Sequence, residues 1–95
     1  MNKLNEDILI ENIWFGTSPN IVNFTLNNVG TIGVNITAIT IVNTTDTLVE
    51  YYTDGGVVTG DDFSREIPFN WNAGETTDFT ITTSRGNYFY DQEVT

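Results

Sequence analysis

Four carboxylates between positions 54 and 66 form the densest cluster of residues that could do chemistry in this chain. They are Asp54, Asp61, Asp62 and Glu66. Carboxylate oxygens in a loop are ligands that calcium accepts, which makes this cluster the candidate calcium site. The spacing does not follow an EF-hand, in which the ligands alternate around a central glycine. A solvated acidic loop is the favoured explanation of the cluster, so we expect no bound metal and no cofactor.

Enzyme catalysis lacks its usual groups. The sequence contains no histidine and no cysteine, which removes the commonest general base and the thiolate nucleophile. Asp61 and Asp62 are the one adjacent pair of carboxylates in this region, and glycosidases use a pair of carboxyl groups in catalysis. That reaction needs two carboxyl groups facing each other at a set separation, whereas neighbours on an extended segment point apart. The sequence therefore predicts a protein that is not an enzyme.

Three asparagines stand in acceptor sequons for N-glycosylation: Asn23, Asn35 and Asn43. Asn23 and Asn35 alternate with apolar residues, and Asn43 lies in a predicted turn, so all three are expected to be exposed. This number of sequons is unremarkable for a chain so rich in Asn and Thr. Their use depends on export of the protein.

The charge balance limits the kinds of partner. The 95 residues carry 13 acidic side chains against three basic ones, a net charge of −10. Such a domain repels nucleic-acid phosphates and anionic lipid, so we exclude nucleic acid as a partner. The length predicts one domain over residues 1–95, with residues 1–7 as a flexible start. Scarce lysine and abundant Asn and Thr are typical of a cell-surface domain.

One long stretch of the chain is uncharged. No acidic or basic residue occurs from Asn12 to Thr45. The polar positions of its strands therefore predict a neutral surface suited to contact with another protein or with sugar. The candidate contact residues are Asn23, Thr25, Asn27, Asn35 and Thr37.

Alternation of apolar and polar residues predicts the fold class. Val22, Phe24 and Leu26 point to one face of a strand while the intervening residues point to the other. Similar segments recur over residues 8–15, 34–42, 47–53, 57–59, 67–71, 76–84 and 88–94, separated by turn signals. Seven to eight short strands predict an all-β, immunoglobulin-like antiparallel β-sandwich. A small barrel is the alternative.

Several local features predict details of this sandwich. Residues 67–71 and 76–84 read as a hairpin closed by the turn at Gly74, and a second hairpin turn is predicted at residues 54–56. The alternation slips at residues 38–39, which either a β-bulge or burial of the strand on both faces would explain. Trp14 and Trp71 lie in apolar runs and are expected in the core. Arg85 and Gly86 form a sharp corner, where Arg85 is expected to make a salt bridge or to clamp a carbonyl group.

Four segments resemble the soluble ectodomains of archaeal cell-surface filament proteins, meaning the archaellum stator and accessory family and type IV pilin-like relatives. They are residues 10–13 (IENI), 24–30 (FTLNNVG), 71–74 (WNAG) and 81–87 (ITTSRGN). The layout also resembles generic immunoglobulin-type adhesion modules of prokaryotes.

The resemblance implies a sandwich held outside the cytoplasmic membrane, with membrane contact only through an N-terminal apolar helix that this chain lacks. It also implies anchoring of a filament to the surface layer. Apart from the resemblance, an interaction domain of this kind is expected to contact the surface layer, a filament subunit or a second copy, the last through a strand edge. The alternative function is a carbohydrate-binding module with Trp14 or tyrosines as its platform.

Overall fold

The computed structural model describes residues 6–17, 19–44 and 46–95. These residues form eight β-strands and no helix long and apolar enough to cross a membrane. Residues 1–5, which belong to the predicted start, lie outside the described residues. The strands are β1 (Ile8–Gly16), β2 (Ile21–Asn28), β3 (Val34–Val42), β4 (Thr47–Tyr51), β5 (Gly56–Val57), β6 (Asp62–Pro68), β7 (Thr76–Thr83) and β8 (Tyr88–Val94).

The strands form two antiparallel sheets, which confirms the predicted β-sandwich. One sheet has three strands in the order β1-β2-β6. The other has five, in the order β4-β3-β7-β8, with β5 also paired to β3. Because the strands divide between two separate sheets, the barrel alternative is wrong.

The core lies between the two sheets and follows the alternation of the sequence. Phe24 and Leu26 point inward from β2, and Phe79 and Ile81 point inward from β7; all four side chains are at most 1% exposed. Large apolar side chains of this kind contribute about 1.5–3 kcal/mol each when they leave water. Burial of these alternate positions therefore sets which face of each sheet is left for solvent or partners.

Two strands carry irregularities where the sequence pattern breaks. The register of β1 against β2 shifts between Ile10 and Asn12, and the register of β3 against β7 shifts between Ile36 and Ala38. The second shift confirms the predicted bulge. It lets both Ile36 and Ile39 face the core, although they are three residues apart and would otherwise point to opposite faces.

The predicted hairpin of residues 67–84 is wrong. Strand β6 pairs with β2, whereas β7 pairs with β3 and β8, so the chain crosses from one sheet to the other between them. The turn itself is present, with Gly74 at a φ of 85°, a backbone conformation that glycine adopts without steric cost. Phe69 is buried and Trp71 half-buried while their neighbours are exposed, as the alternation predicts. A local pattern identifies faces, but not which strand will be the hydrogen-bonding neighbour.

The predicted hairpin at residues 54–56 is also wrong. Strands β4 and β5 pair one after the other with the same edge of β3, so the chain runs on along this edge without reversing. The connection is held to β3 by Tyr52 N–H donating to the Thr37 carbonyl at 2.9 Å and Ile36 N–H donating to the Gly55 carbonyl at 2.8 Å. Gly55 lets the two backbones approach closely beside the bulge in β3.

Thr77 offers a simple test of the packing. Its side chain is fully buried, and its hydroxyl has no hydrogen-bond partner among the described residues. Replacing Thr77 with valine exchanges an unsatisfied hydroxyl for a methyl group of similar size, so we expect stabilisation by about 1 kcal/mol in urea unfolding. The matched control is Thr83→Val, which should destabilise because the Thr83 hydroxyl donates to Glu6 Oε1 at 2.8 Å. A Thr77→Val variant less stable than the wild type would show that the buried Thr77 hydroxyl does have a hydrogen-bond partner.

Candidate interaction surfaces

The outer face of the three-stranded sheet is here called the asparagine face. The strand register aligns its side chains in cross-strand rows. Its residues are Leu9, Asn12, Trp14, Asn23, Thr25, Asn27, Asp62, Ser64 and Glu66. The Thr25 and Ser64 hydroxyls are hydrogen-bonded at 3.0 Å, and the Asn27 amide donates to the Asp62 carboxylate. The uncharged positions on β1 and β2 thus form a neutral surface, which two acids of β6 and the exposed Glu11 in the β1 irregularity border.

Trp14 lies on this face, and its predicted place in the core is wrong. Its side chain is 59% exposed. Ile13 and Phe15, on either side of it, are the partly buried residues that pack against the core. The continuous apolar run concealed the alternation, because the sequence alone does not show which of three adjacent apolar residues points outward. Strand pairing makes Trp14 the outward one.

Trp71, by contrast, is half-buried. Its indole N–H donates to the Gly16 carbonyl at 2.8 Å, and its ring lies 5.6 Å from that of Phe15 between centroids. The polar atom of the indole therefore has a hydrogen-bond partner, as is usual for a tryptophan that joins a core. Trp71 closes one end of the sandwich over Gly16.

Two predicted contact residues do not lie on the asparagine face. Asn35 and Thr37 belong to β3, in the other sheet, and Asn35 pairs with Gly56. The uncharged stretch of sequence is thus divided between the two sheets. Among the sequon asparagines, Asn35 is exposed, whereas Asn23 and Asn43 are half-buried. The Asn43 amide also donates to the Asn70 carbonyl at 2.9 Å. Glycosylation of Asn23, Asn35 and Asn43 stays a prediction.

The outer face of the five-stranded sheet is here called the tyrosine face. Alternate residues of four strands point outward and include the most exposed large side chains of the described residues, with Tyr51 80% and Tyr88 70% exposed. Its residues are Ala38, Thr40 and Val42 of β3; Thr47, Val49 and Tyr51 of β4; Thr76, Asp78, Thr80 and Thr82 of β7; and Tyr88, Tyr90, Gln92 and Val94 of β8. No sequence signal placed Tyr51 on the same sheet face as the tyrosines of β8, because this depends on the order of the strands, with β4 and β8 at opposite edges of the sheet.

The structure does not bring the four candidate calcium ligands together. Asp54 pairs with Arg65 at 2.8 Å, and Asp62 hydrogen-bonds with Asn27. Glu66 follows Asp62 by four residues on the same strand, about 13 Å away at the rise of an extended chain. In the described part of the chain, no three carboxylates approach one another closely enough to hold a metal ion.

A buried ionic cluster fastens the beginning of the described chain to the corner after β7. The Glu6 side chain is fully inaccessible and accepts hydrogen bonds from Thr83 Oγ1, Arg85 Nη1 and Asn87 Nδ2 at 2.7–2.8 Å. Arg85 also donates to the Gly33 carbonyl at 2.9 Å, and Gly86 completes the corner with a φ of 84°. The sequence pointed to Arg85 but did not reveal its partner 79 residues away.

The environment of Glu6 has opposing effects on its pKa. Burial raises the pKa of this carboxyl, but the hydrogen bonds from Arg85, Thr83 and Asn87, together with the Arg85 charge, outweigh it. The net result is a pKa below the ordinary value of 4.5. Glu6 is therefore ionised at neutral pH, and its charge holds the corner together.

These features define the class of the protein: a β-sandwich domain whose distinctive surfaces are two broad, mostly uncharged sheet faces. Solved structures with a similar fold support this description. The archaellum periplasmic stator protein FlaG from Sulfolobus acidocaldarius superposes with a TM-score of 0.74 at 14% identity, over 93% of this chain and 99% of that chain. The FlaF and FlaG stator complex from the same organism gives 0.70 at 16% identity, over 90% and 87%. No family model and no curated protein matches the sequence. The resemblance to archaellum stator proteins is thus confirmed at the level of the fold.

Proposed function

We propose that this protein is a non-catalytic structural domain of an archaeal cell-surface filament apparatus, similar in role to an archaellum stator. It acts outside the cytoplasmic membrane and binds a protein partner: the surface layer, a filament subunit or a related domain. The observation that carries this proposal is the near full-length likeness in fold to FlaG, alone and in a complex with FlaF. Lack of histidine and cysteine removes the commonest catalytic groups and supports the non-catalytic part.

The asparagine face is the contact surface that we propose for this partner. Trp14 offers a large exposed ring, and tryptophan is among the residues that contribute most to binding at protein interfaces. The amides and hydroxyls around it form hydrogen bonds without the desolvation cost of charged groups. The acids of β6 border the face, where rim charges affect association rate more than affinity.

Cosedimentation with surface-layer sheets from the source organism tests the proposal. We expect the wild-type domain to be retained, and Trp14→Ala to lower the affinity at least about tenfold, since interface hot spots contribute about 2 kcal/mol or more. Tyr51→Ala is the matched control, because it removes an even more exposed ring, 80% against 59%, from the opposite sheet and should bind like the wild type. Equal retention of the Trp14→Ala variant, or failure of the wild type to bind either the sheets or a purified filament subunit, would contradict the proposal.

Carbohydrate binding is the second candidate, and the exposure of Trp14 favours it. The ring packs against Gly16 and leaves the side chain 59% exposed, and Asn23 is its cross-strand partner; an exposed aromatic ring beside an amide suits a sugar ring. Titration with oligosaccharides from the cell envelope, followed by tryptophan fluorescence, tests this function. Accessibility of the ring is best checked with acrylamide, because the net charge of −10 repels iodide. Saturable sugar binding that Trp14→Ala abolishes would favour this candidate over the protein partner.

A further inference from the structure

Glu6 and Thr95 lie at opposite ends of the sandwich. The molecule measures 40 × 21 × 20 Å, and a nine-residue strand such as β1 is about 30 Å long, so the strands run along the long axis. Glu6 is hydrogen-bonded to Thr83, the last residue of β7, whereas Thr95 is hydrogen-bonded to Glu75, just before β7 begins. A pull on the two ends of the chain therefore acts along the strands and not across them.

The first and last strands have the orientation that resists such a pull. Strand β1 begins beside Glu6 and pairs with β2 along its length, and β8 pairs with β7 and ends beside Thr95. Hydrogen bonds between antiparallel strands are perpendicular to the strands. A pull along a strand therefore has to break these bonds together, whereas a pull across the end of a strand breaks them one after another.

The buried ionic cluster, here called the Glu6 cluster, adds a second route for tension. Glu6 leads into β1 of the three-stranded sheet, but its partners belong to the other sheet. Thr83 ends β7, and Arg85 and Asn87 lie in the corner that leads into β8. From this corner the covalent backbone continues through β8 to Thr95. While the cluster is intact, tension passes from Glu6 to the corner and along β8, without crossing the core between the sheets.

Both ends of this route are held at defined residues. The Asp7 carbonyl, directly after Glu6, accepts a hydrogen bond from Val29 N–H at 3.1 Å. At the opposite end, Thr95 N–H donates to the Glu75 carbonyl at 3.0 Å, and the Thr95 carbonyl accepts from Gly74 N–H at 3.0 Å. Tension applied to the chain thus reaches the fold at Glu6 and at Thr95.

We propose that the Glu6 cluster is a mechanical clamp, which transmits tension from the N-terminal side of the chain to β8 and so protects the core from it. The Glu6 carboxylate suits this role because it is fully inaccessible and is held by the Arg85 guanidinium at 2.8 Å. Hydrogen bonds to a charged group are about twice as strong as neutral ones, and a buried carboxylate that loses its partners has no water to replace them. This inference rests on the proposed function, since a domain that anchors a filament is placed under tension.

Force spectroscopy at constant tension tests the proposal. The whole chain is held by handles joined to its two termini, and the lifetime of the folded state, which is governed by the unfolding rate, is measured. Glu6→Gln should shorten this lifetime at least about tenfold, because the clamp loses its charge-assisted bonds. Thr83→Val keeps the ion pair and removes one hydrogen bond of the cluster, so it should shorten the lifetime about fivefold.

A second attachment point distinguishes a clamp from a general contribution to stability. The chain has no cysteine, so Leu9→Cys creates a single attachment point at a side chain that is 51% exposed. A pull between this cysteine and the C-terminus enters the chain after Glu6 and does not pass through the cluster. In this geometry Glu6→Gln should shorten the lifetime no more than about twofold. Asp54→Asn, which breaks an exposed ion pair outside both routes, should leave the lifetime unchanged in each geometry.

Two results would overturn the proposal. If Glu6→Gln shortens the lifetime equally in both geometries, the cluster stabilises the fold without acting as a clamp. If Glu6→Gln and Thr83→Val leave the lifetime unchanged when the chain is pulled by its termini, tension does not pass through the cluster. Neither measurement involves a partner, whereas the proposed function is tested by cosedimentation of the Trp14→Ala variant, so the failure of one is distinguishable from the failure of the other.

Discussion

Replacing Gly55 with alanine is expected to destabilise the domain by about 3 kcal/mol or more, a large part of the 5–15 kcal/mol that a small domain has in total. An added Cβ would lie 2.0 Å from the carbonyl oxygen of Ile36 and 2.9 Å from its carbonyl carbon. Both are backbone atoms, so no side-chain rotation can relieve the clash. The edge formed by β4 and β5 would have to move away from β3, breaking the 2.8 Å hydrogen bond from Ile36 N–H to the Gly55 carbonyl.

Gly56 provides the matched control for this change. It follows Gly55 directly, but an added Cβ meets no atom within 4 Å. Gly56→Ala should therefore change the free energy of unfolding by no more than about 1 kcal/mol in either direction. Urea unfolding monitored by tryptophan fluorescence measures the stability of both variants. Equal stability of the two would show that the close approach of Gly55 to β3 does not exist in solution.

Replacing Arg85 with methionine is the second change of large expected effect. The Glu6 carboxylate is fully inaccessible, and Arg85 is its ion-pair partner at 2.8 Å. Removal of the cation leaves a buried carboxylate without its compensating charge, which costs about 3–5 kcal/mol in such pairs. Glu6→Gln should lower the free energy of unfolding by less than Arg85→Met does. The Arg85 side chain is 39% exposed, so water can solvate the guanidinium group that has lost its partner. We therefore expect Arg85→Met to destabilise the protein more than Glu6→Gln.

The exposed ion pair of Arg65 and Asp54 is the control for the buried one. The Asp54 side chain is 71% exposed, and exposed pairs contribute at most about 1 kcal/mol. Asp54→Asn should therefore leave the unfolding midpoint almost unchanged. If Arg85→Met lowers the stability no more than Asp54→Asn does, the Glu6 cluster does not stabilise the fold as proposed.

Acidification should weaken the same cluster. The folded-state pKa of Glu6 lies below its ordinary value of 4.5, so ionised Glu6 contributes stability at pH values above 4.5. This contribution is lost as the pH falls through the lower, folded-state pKa, because Glu6 then takes up a proton in the folded protein as well. The stability difference between the wild type and Glu6→Gln should therefore narrow below pH 4.5. If the stability difference between the wild type and Glu6→Gln stays constant with pH, the charge of Glu6 does not contribute to stability.

Much of the sandwich follows from local alternation in the sequence. The inward positions of β2, the turn at Gly74 and the bulge in β3 were all predicted, because each depends on neighbouring residues and on the period of two in a strand. The polar side of β2 likewise identified Asn23, Thr25 and Asn27 as one row of a face. These features need no knowledge of the rest of the chain.

Strand order, by contrast, was decided only by the tertiary structure. Two predicted hairpins are absent. Strands β6 and β7 belong to different sheets, and β5 pairs with β3 instead of with β4. Trp14 points outward because β1 pairs with β2 in one particular register. Side chains distant in sequence meet in the Glu6 cluster and across the tyrosine face for the same reason. Alternation determines which side chains share one side of a strand, but the neighbour of each strand depends on burying the whole core at once.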